Sequence, residues 1–100
     1  MMLEQNNIIA FLSKQFPELQ AEYNISKIGL FGSFARNEQD ENSDIDIIVE
    51  FHPRTENIYE KKLKLKKTLK DFFHREIDLC RLKYVKPFVR EYLEKEVIYA

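Results

Sequence analysis

Only two glycines occur in this 100-residue chain, Gly29 and Gly32, and they stand three residues apart. Glycine is the residue for sharp turns and close backbone approach. Both fall in or just after the short apolar run Lys27-Ile28-Gly29-Leu30-Phe31, which reads as a buried strand ending in a tight turn. Ser33 to Arg36 then reads as one turn of helix. A strand, a glycine turn and a helix N-terminus aim backbone N–H groups and a positive dipole end at one point, which suits an anion. The Ser33 hydroxyl adds a donor. Taken alone, the turn equally fits tight packing with Ser33 as an ordinary helix cap.

The remaining elements follow from periodicity. Leu3 to about Tyr23 carries Ile8, Ile9, Leu12, Phe16 and Leu19 at three- and four-residue steps, one apolar stripe of a helix. Pro17 inside it predicts a kink or the start of a second helical segment, and Asn24 a stop. Asn37 to Ser43 is a polar loop, and Asp44 to Phe51 is the strongest strand pattern. Thr55 or Asn57 caps a helix to about Phe73, with Ile58, Leu65, Leu69 and Phe72 as its stripe and Leu63 and Phe73 at its edges. Glu76 to Leu82 reads as a third strand. Pro87 opens a last amphipathic helix whose Phe88, Val89, Tyr92, Leu93 and Val97 are expected in the core. This order predicts an α/β (α+β) fold, a small mixed sheet of about three or more strands flanked by helices.

Asp44 and Asp46 are two apart in a strand, so they project side by side while Ile45 and Ile47 face the core. Carboxylates held that close raise one another's pKa unless a cation sits between them. Such hard oxygen donors suit Mg²⁺ or Mn²⁺; a wet strand face is the plain alternative. Ten residues separate Ser33 from Asp44, enough for a helical turn and a return loop into the neighbouring strand. In the third strand, Ile77 and Leu79 share one face and Asp78 takes the other. A buried carboxylate needs a partner, either a metal or an arginine such as Arg75 or Arg81.

Composition narrows the class. With 44% hydrophobic residues the chain holds enough apolar material for one core, and one domain over residues 1–100 is expected. So short a chain leaves little room for a separate substrate lobe, so part of the substrate site is expected from a partner. Sixteen Lys plus Arg against seventeen Asp plus Glu give a net charge of -1, which argues against bulk electrostatic binding of nucleic acid. No apolar run is long enough to span a bilayer and no secretory signal is visible, so the cytoplasm is the expected location. Cys80 is the only cysteine, so no intrachain disulfide forms and no zinc set is available.

Gly32-Ser33-Phe34-Ala35-Arg36, Ser43-Asp44-Ile45-Asp46-Ile47 and Ile77-Asp78-Leu79 together resemble the DNA polymerase beta-type nucleotidyltransferase superfamily. Within it the chain is similar to the minimal nucleotidyltransferases, the MNT or MntA-like antitoxins. The likeness runs to Lys86-Pro87 and to Ile98-Tyr99-Ala100. One departure is Asn37, where the family often has glycine; asparagine is the next best residue for a left-handed turn.

The resemblance implies a transferase in which Asp44, Asp46 and Asp78 bind two Mg²⁺ ions against the triphosphate of ATP. Two-metal sites of this kind clamp the attacking and leaving oxygens of an in-line displacement. It implies Gly32 and Ser33 on the β- and γ-phosphates, with Arg36 touching phosphate or steadying the loop. It implies, as partner in a hetero-oligomer, a HEPN-domain ribonuclease toxin that receives AMP on a tyrosine. Two other readings stay open: an antitoxin that neutralises by binding alone, and a nucleotidyltransferase acting on RNA. For the second, the lysines at 61, 62, 64, 66, 67 and 70 offer a basic helix, although a solvated face explains them as well. Cys80, on the face of Asp78, reads as a small buried hydrophobe.

Overall fold

A computed structural model describes residues 3–100. Helix α1 (Gln5–Tyr23) leads into strand β1 (Ile25–Phe31), the one-turn helix α2 (Gly32–Ala35) and strand β2 (Ile45–Phe51). Helix α3 (Ile58–Phe73), strand β3 (Ile77–Arg81), a 3₁₀ turn at Leu82–Tyr84, helix α4 (Pro87–Glu96) and strand β4 (Ile98–Tyr99) complete the order. The sheet runs β3-β2-β1-β4. β1 is antiparallel to β2 and to β4, whereas β2 and β3 are parallel. The parallel pair demands a crossover, and α3 supplies it.

Alternation along β2 sets the layers. Ile45, Ile47, Val49 and Phe51 are buried on the face that carries α1 and α3, while Asp46 and Glu50 look the other way and are only half-buried. Ile28 and Leu30 of β1 and Ile77 and Leu79 of β3 complete that face. Ile8, Leu12 and Leu19 of α1 and Leu65 and Leu69 of α3 close over it. Burying side chains of this size stabilises by roughly 1.5–3 kcal/mol each. The Tyr23 hydroxyl lies 3.0 Å from Thr68 Oγ1 and ties the two helices together.

Element ends follow local chemistry. Asn24 stops α1 in the left-handed region (φ 58), its N–H donating to Gln20 O. Asn57 precedes α3 as its cap residue. Gly29 admits β4: a Cβ there would meet Val97 Cγ1 at 2.6 Å and the Ile98 carbonyl oxygen at 3.2 Å.

Three expectations are corrected. α1 runs unbroken through Pro17 instead of restarting there; Ser13, whose carbonyl loses its donor, is exposed and open to water. The last helix buries no residue, and Phe88 and Tyr92 are 74% and 65% exposed. Val97 leaves the helix to lead into β4, so the helix reaches the sheet only at its end. Phe72 is 54% exposed rather than in the buried stripe: it lies at the margin of the core, one ring face stacked on half-buried Phe11 at 3.6 Å between centroids. Among the described residues no helix is long and apolar enough to cross a membrane.

Candidate active site

Gly32 follows β1 directly and adopts φ +75, a left-handed conformation that disfavours any side chain. A Cβ at this position would also lie 2.0 Å from Asp46 Oδ2. Strand register explains the contact: Phe31 pairs with Asp46 across β1 and β2, so the turn and the carboxylate stand side by side. Half-buried Ser33 opens α2. The turn closes through the Arg36 N–H to Gly32 O (3.1 Å) and the Glu38 N–H to Ser33 O (2.8 Å). Asn37 takes the left-handed position expected of it, at φ 57. Gln5 Nε2 donates to the carbonyls of Phe34 and Ala35 at 3.3 and 2.8 Å, satisfying the end of α2 from across the chain.

Asp46 and Asp78 are direct partners in the parallel register and share the open face of the sheet. Burial, then the charge of Asp78, a hydrogen bond with it and the charge of Asp44 push the Asp46 carboxyl from 3.8 up to about 6. Asp44 stands one residue before β2 and is exposed. Among the described residues no three His, Cys, Asp or Glu side chains are close enough together to hold an ion by themselves. Strand register and the Gly32 contact bring Asp46, Asp78 and the Gly32 turn together, and Asp44 stands exposed beside them in sequence.

Asp78 itself is exposed, which corrects the expectation of a buried aspartate: β3 is the sheet edge, and its flanking Ile77 and Leu79 take the core face. Neither candidate arginine pairs with it. Arg75 Nη1 donates to the carbonyls of Asp40 (3.0 Å) and Ser43 (2.9 Å), bracing the loop that leads to Asp44. Arg81 turns to Glu50 at 3.4 Å. Cys80 Sγ lies 3.6 Å from Asp78 Oδ1, and burial together with that negative charge pushes the thiol up, away from a reactive thiolate.

Arg36 points to carboxylates, to Glu96 Oε1 at 2.6 Å and Glu38 Oε2 at 3.0 Å. Those two hydrogen bonds, Glu96 first, raise its pKa further. Glu96 Oε2 also accepts the Gly32 N–H at 2.8 Å. Burial works to raise the Glu96 pKa, but the Arg36 and Gly32 hydrogen bonds outweigh it and hold it below the usual carboxylate range. Glu96 escapes a reading of the sequence because its partners lie more than a domain-half away along the chain and leave no local pattern.

The Asp46–Asp78 pair offers hard oxygen donors. Magnesium is commonly held by one or two carboxylates, with waters and substrate phosphates completing its shell. These residues fit that ion, and the Gly32 turn adjoins them.

The model of the nucleotidyltransferase domain matches residues 12–100. The chain belongs to the nucleotidyltransferase domain family. This nucleotidyltransferase is 38% identical over 89 residues to MJ0128 of Methanocaldococcus jannaschii, named as a candidate protein adenylyltransferase, covering 88% of this chain and 89% of that one. It is 30% identical over 98 residues to the protein adenylyltransferase MntA of Thermococcus cleftensis, covering 98% and 97%. A solved structure named as a candidate minimal nucleotidyltransferase aligns with a TM-score of 0.79 at 25% identity, over 96% of this chain and 95% of that chain. A toxin–antitoxin structure with AMP-PNP aligns with a TM-score of 0.65 at 27% identity, over 97% and 72%. The fold, a four-stranded mixed sheet flanked by helices, is that of the minimal nucleotidyltransferases.

Proposed function

We propose that this nucleotidyltransferase is the antitoxin of a toxin–antitoxin pair and transfers AMP from ATP to a tyrosine of a HEPN-domain toxin. The observation that carries the transfer is the placement of the Asp46–Asp78 pair against the Gly32 turn: an acidic pair and a left-handed glycine turn share one end of the sheet. The toxin partner rests on the likeness to the protein adenylyltransferase MntA and to a toxin–antitoxin assembly solved with AMP-PNP.

In this reading Asp44, Asp46 and Asp78 would hold one or two Mg²⁺ ions. When bound, such ions would neutralise charge developing on the phosphates. Gly32 and Ser33 orient the triphosphate through the turn and the Ser33 hydroxyl. Asp78, exposed on the open face, accepts the proton of the acceptor tyrosine hydroxyl. That oxygen bonds to the α-phosphorus of ATP as the bond to pyrophosphate breaks, and pyrophosphate leaves. Arg36 steadies the turn through Glu38 and Glu96.

The test is intact-mass spectrometry of the toxin encoded beside this chain, after incubation with this protein, ATP and Mg²⁺. The toxin should gain the mass of one or more AMP groups, and Asp46→Asn should abolish the gain. Neutralisation of the toxin without any mass gain, undiminished in Asp46→Asn, would establish a purely binding antitoxin instead. Nucleotide addition to RNA in place of protein would redirect the acceptor to nucleic acid.

A further inference from the structure

α2 is a single turn of four residues, Gly32 to Ala35. A helix this short is not stable by itself, since nucleation is unfavourable and most helical stability comes from tertiary contacts. Its conformation must therefore be held from outside. Gln5 does so at the carbonyl end. One carboxylate bridges the two ends: Glu96 takes the Gly32 N–H at the start of α2 on one oxygen and the side chain of Arg36, the residue that caps its C-terminus, on the other.

Several facts separate this contact from an ordinary surface ion pair. The Glu96 side chain is only 10% exposed. It reaches a backbone N–H at a left-handed glycine that itself touches Asp46. It comes from the last residue of α4, just before β4 pairs with β1 at Gly29 and Leu30, so sheet pairing fixes where the carboxylate lands. Charge-assisted hydrogen bonds of this kind are the strong ones. A carboxylate spanning both ends of a one-turn helix sets the direction of the donors between them.

We propose that Glu96 is a positioning residue for nucleotide binding, clamping the Gly32 turn and Arg36 so that the Ser33 side of the cradle faces the triphosphate. This inference rests on the reading of Gly32 and Ser33 as a phosphate cradle. Glu96 acts through the Gly32 N–H and the Arg36 guanidinium that it holds.

The test is calorimetric titration of the whole chain with AMP-PNP and Mg²⁺, with the thermal unfolding midpoint of each variant measured alongside. Loss of hydrogen bonds to a charged group is expected to weaken binding about tenfold or more in Glu96→Ala. Glu96→Gln keeps an oxygen for the Gly32 N–H and loses the charge toward Arg36, so it should fall between wild type and Glu96→Ala. In transfer assays the loss should appear mainly in KM for ATP, with kcat less affected. Glu94→Ala, which removes only an exposed partner of Arg90, should bind as the wild type does. Wild-type or tighter binding by either Glu96 variant overturns the clamp, tighter binding marking Glu96 as a competitor for the cradle. Glu96→Gln as weak as Glu96→Ala overturns the role of the Gly32 contact. Should Glu96→Ala fail to fold, Glu96→Gln decides alone. Absence of nucleotide binding in the wild type overturns the cradle itself and this inference with it; binding that ignores Glu96 overturns this inference only.

Discussion

Asp46→Asn should yield a protein that is more stable than the wild type at neutral and alkaline pH and is inactive in transfer. Burial and the neighbouring Asp78 and Asp44 push the Asp46 carboxyl from 3.8 up to about 6. The folded state therefore binds this proton more tightly than the unfolded chain does. The favourable contribution is full in acid, below the unfolded pKa, and is lost as pH rises through about 6. Above that point the ionised carboxylate weakens the fold. A displacement of this size converts to about 3 kcal/mol at face value. Asp46 is only half-buried, and solvent screening reduces the effect to about 1–2 kcal/mol. Asparagine matches aspartate in shape and carries no charge. Urea unfolding followed by circular dichroism should give Asp46→Asn a gain of about 1–2 kcal/mol near pH 8, shrinking toward about pH 4.5. Millimolar Mg²⁺ should stabilise the wild type and not the variant, since the ion relieves the same repulsion. A variant no more stable than wild type near pH 8, or one with an equal gain at both pH values, refutes the reasoning.

Gly32→Ala combines left-handed strain with a Cβ 2.0 Å from Asp46 Oδ2; it should cost about 2–4 kcal/mol in urea unfolding and remove transfer activity. Gly29→Ala should push β4 away from β1, since its Cβ meets Val97 Cγ1 at 2.6 Å. Hydrogen exchange should then quicken at the Ala100 N–H, which donates to Ile28 O at 2.9 Å. Arg75→Ala frees the carbonyls of Asp40 and Ser43; limited proteolysis within residues 37–44 should accelerate, with a stability loss of about 1–2 kcal/mol.

Much of this arrangement is legible in the sequence, for identifiable reasons. Period-two alternation in Asp44 to Phe51 marks the strand and its core face. The helical stripe places Ile8, Leu12 and Leu19 in the core, Asn24 marks the stop of α1, and Asn37 marks a left-handed turn that the structure realises. What escapes depends on tertiary context. The fate of Phe88, Val89 and Tyr92 is undecidable from amphipathicity, which says that a face is apolar and not whether anything covers it. Pro17 is tolerated because the carbonyl it orphans lies on the wet side. The pairing of β4 and the reach of Glu96 to Gly32 and Arg36 join residues far apart in the chain, so no local window contains both partners. Asp46 and Asp78 are each visible, but their direct pairing follows only from a parallel register.

The same separation governs when the site comes into being as the chain folds. Asp46 meets Asp78 only once the parallel β2–β3 crossover has closed around the whole of α3. Gly32 meets Glu96 across 64 residues, after β4 has found β1. Long-range pairings of this type form late, because loop closure must be overcome before they contribute. A partly folded chain thus carries every acidic residue of the site without the site itself. Nucleotide affinity should therefore appear with the final kinetic phase of folding, which makes ATP binding a reporter of the completed sheet.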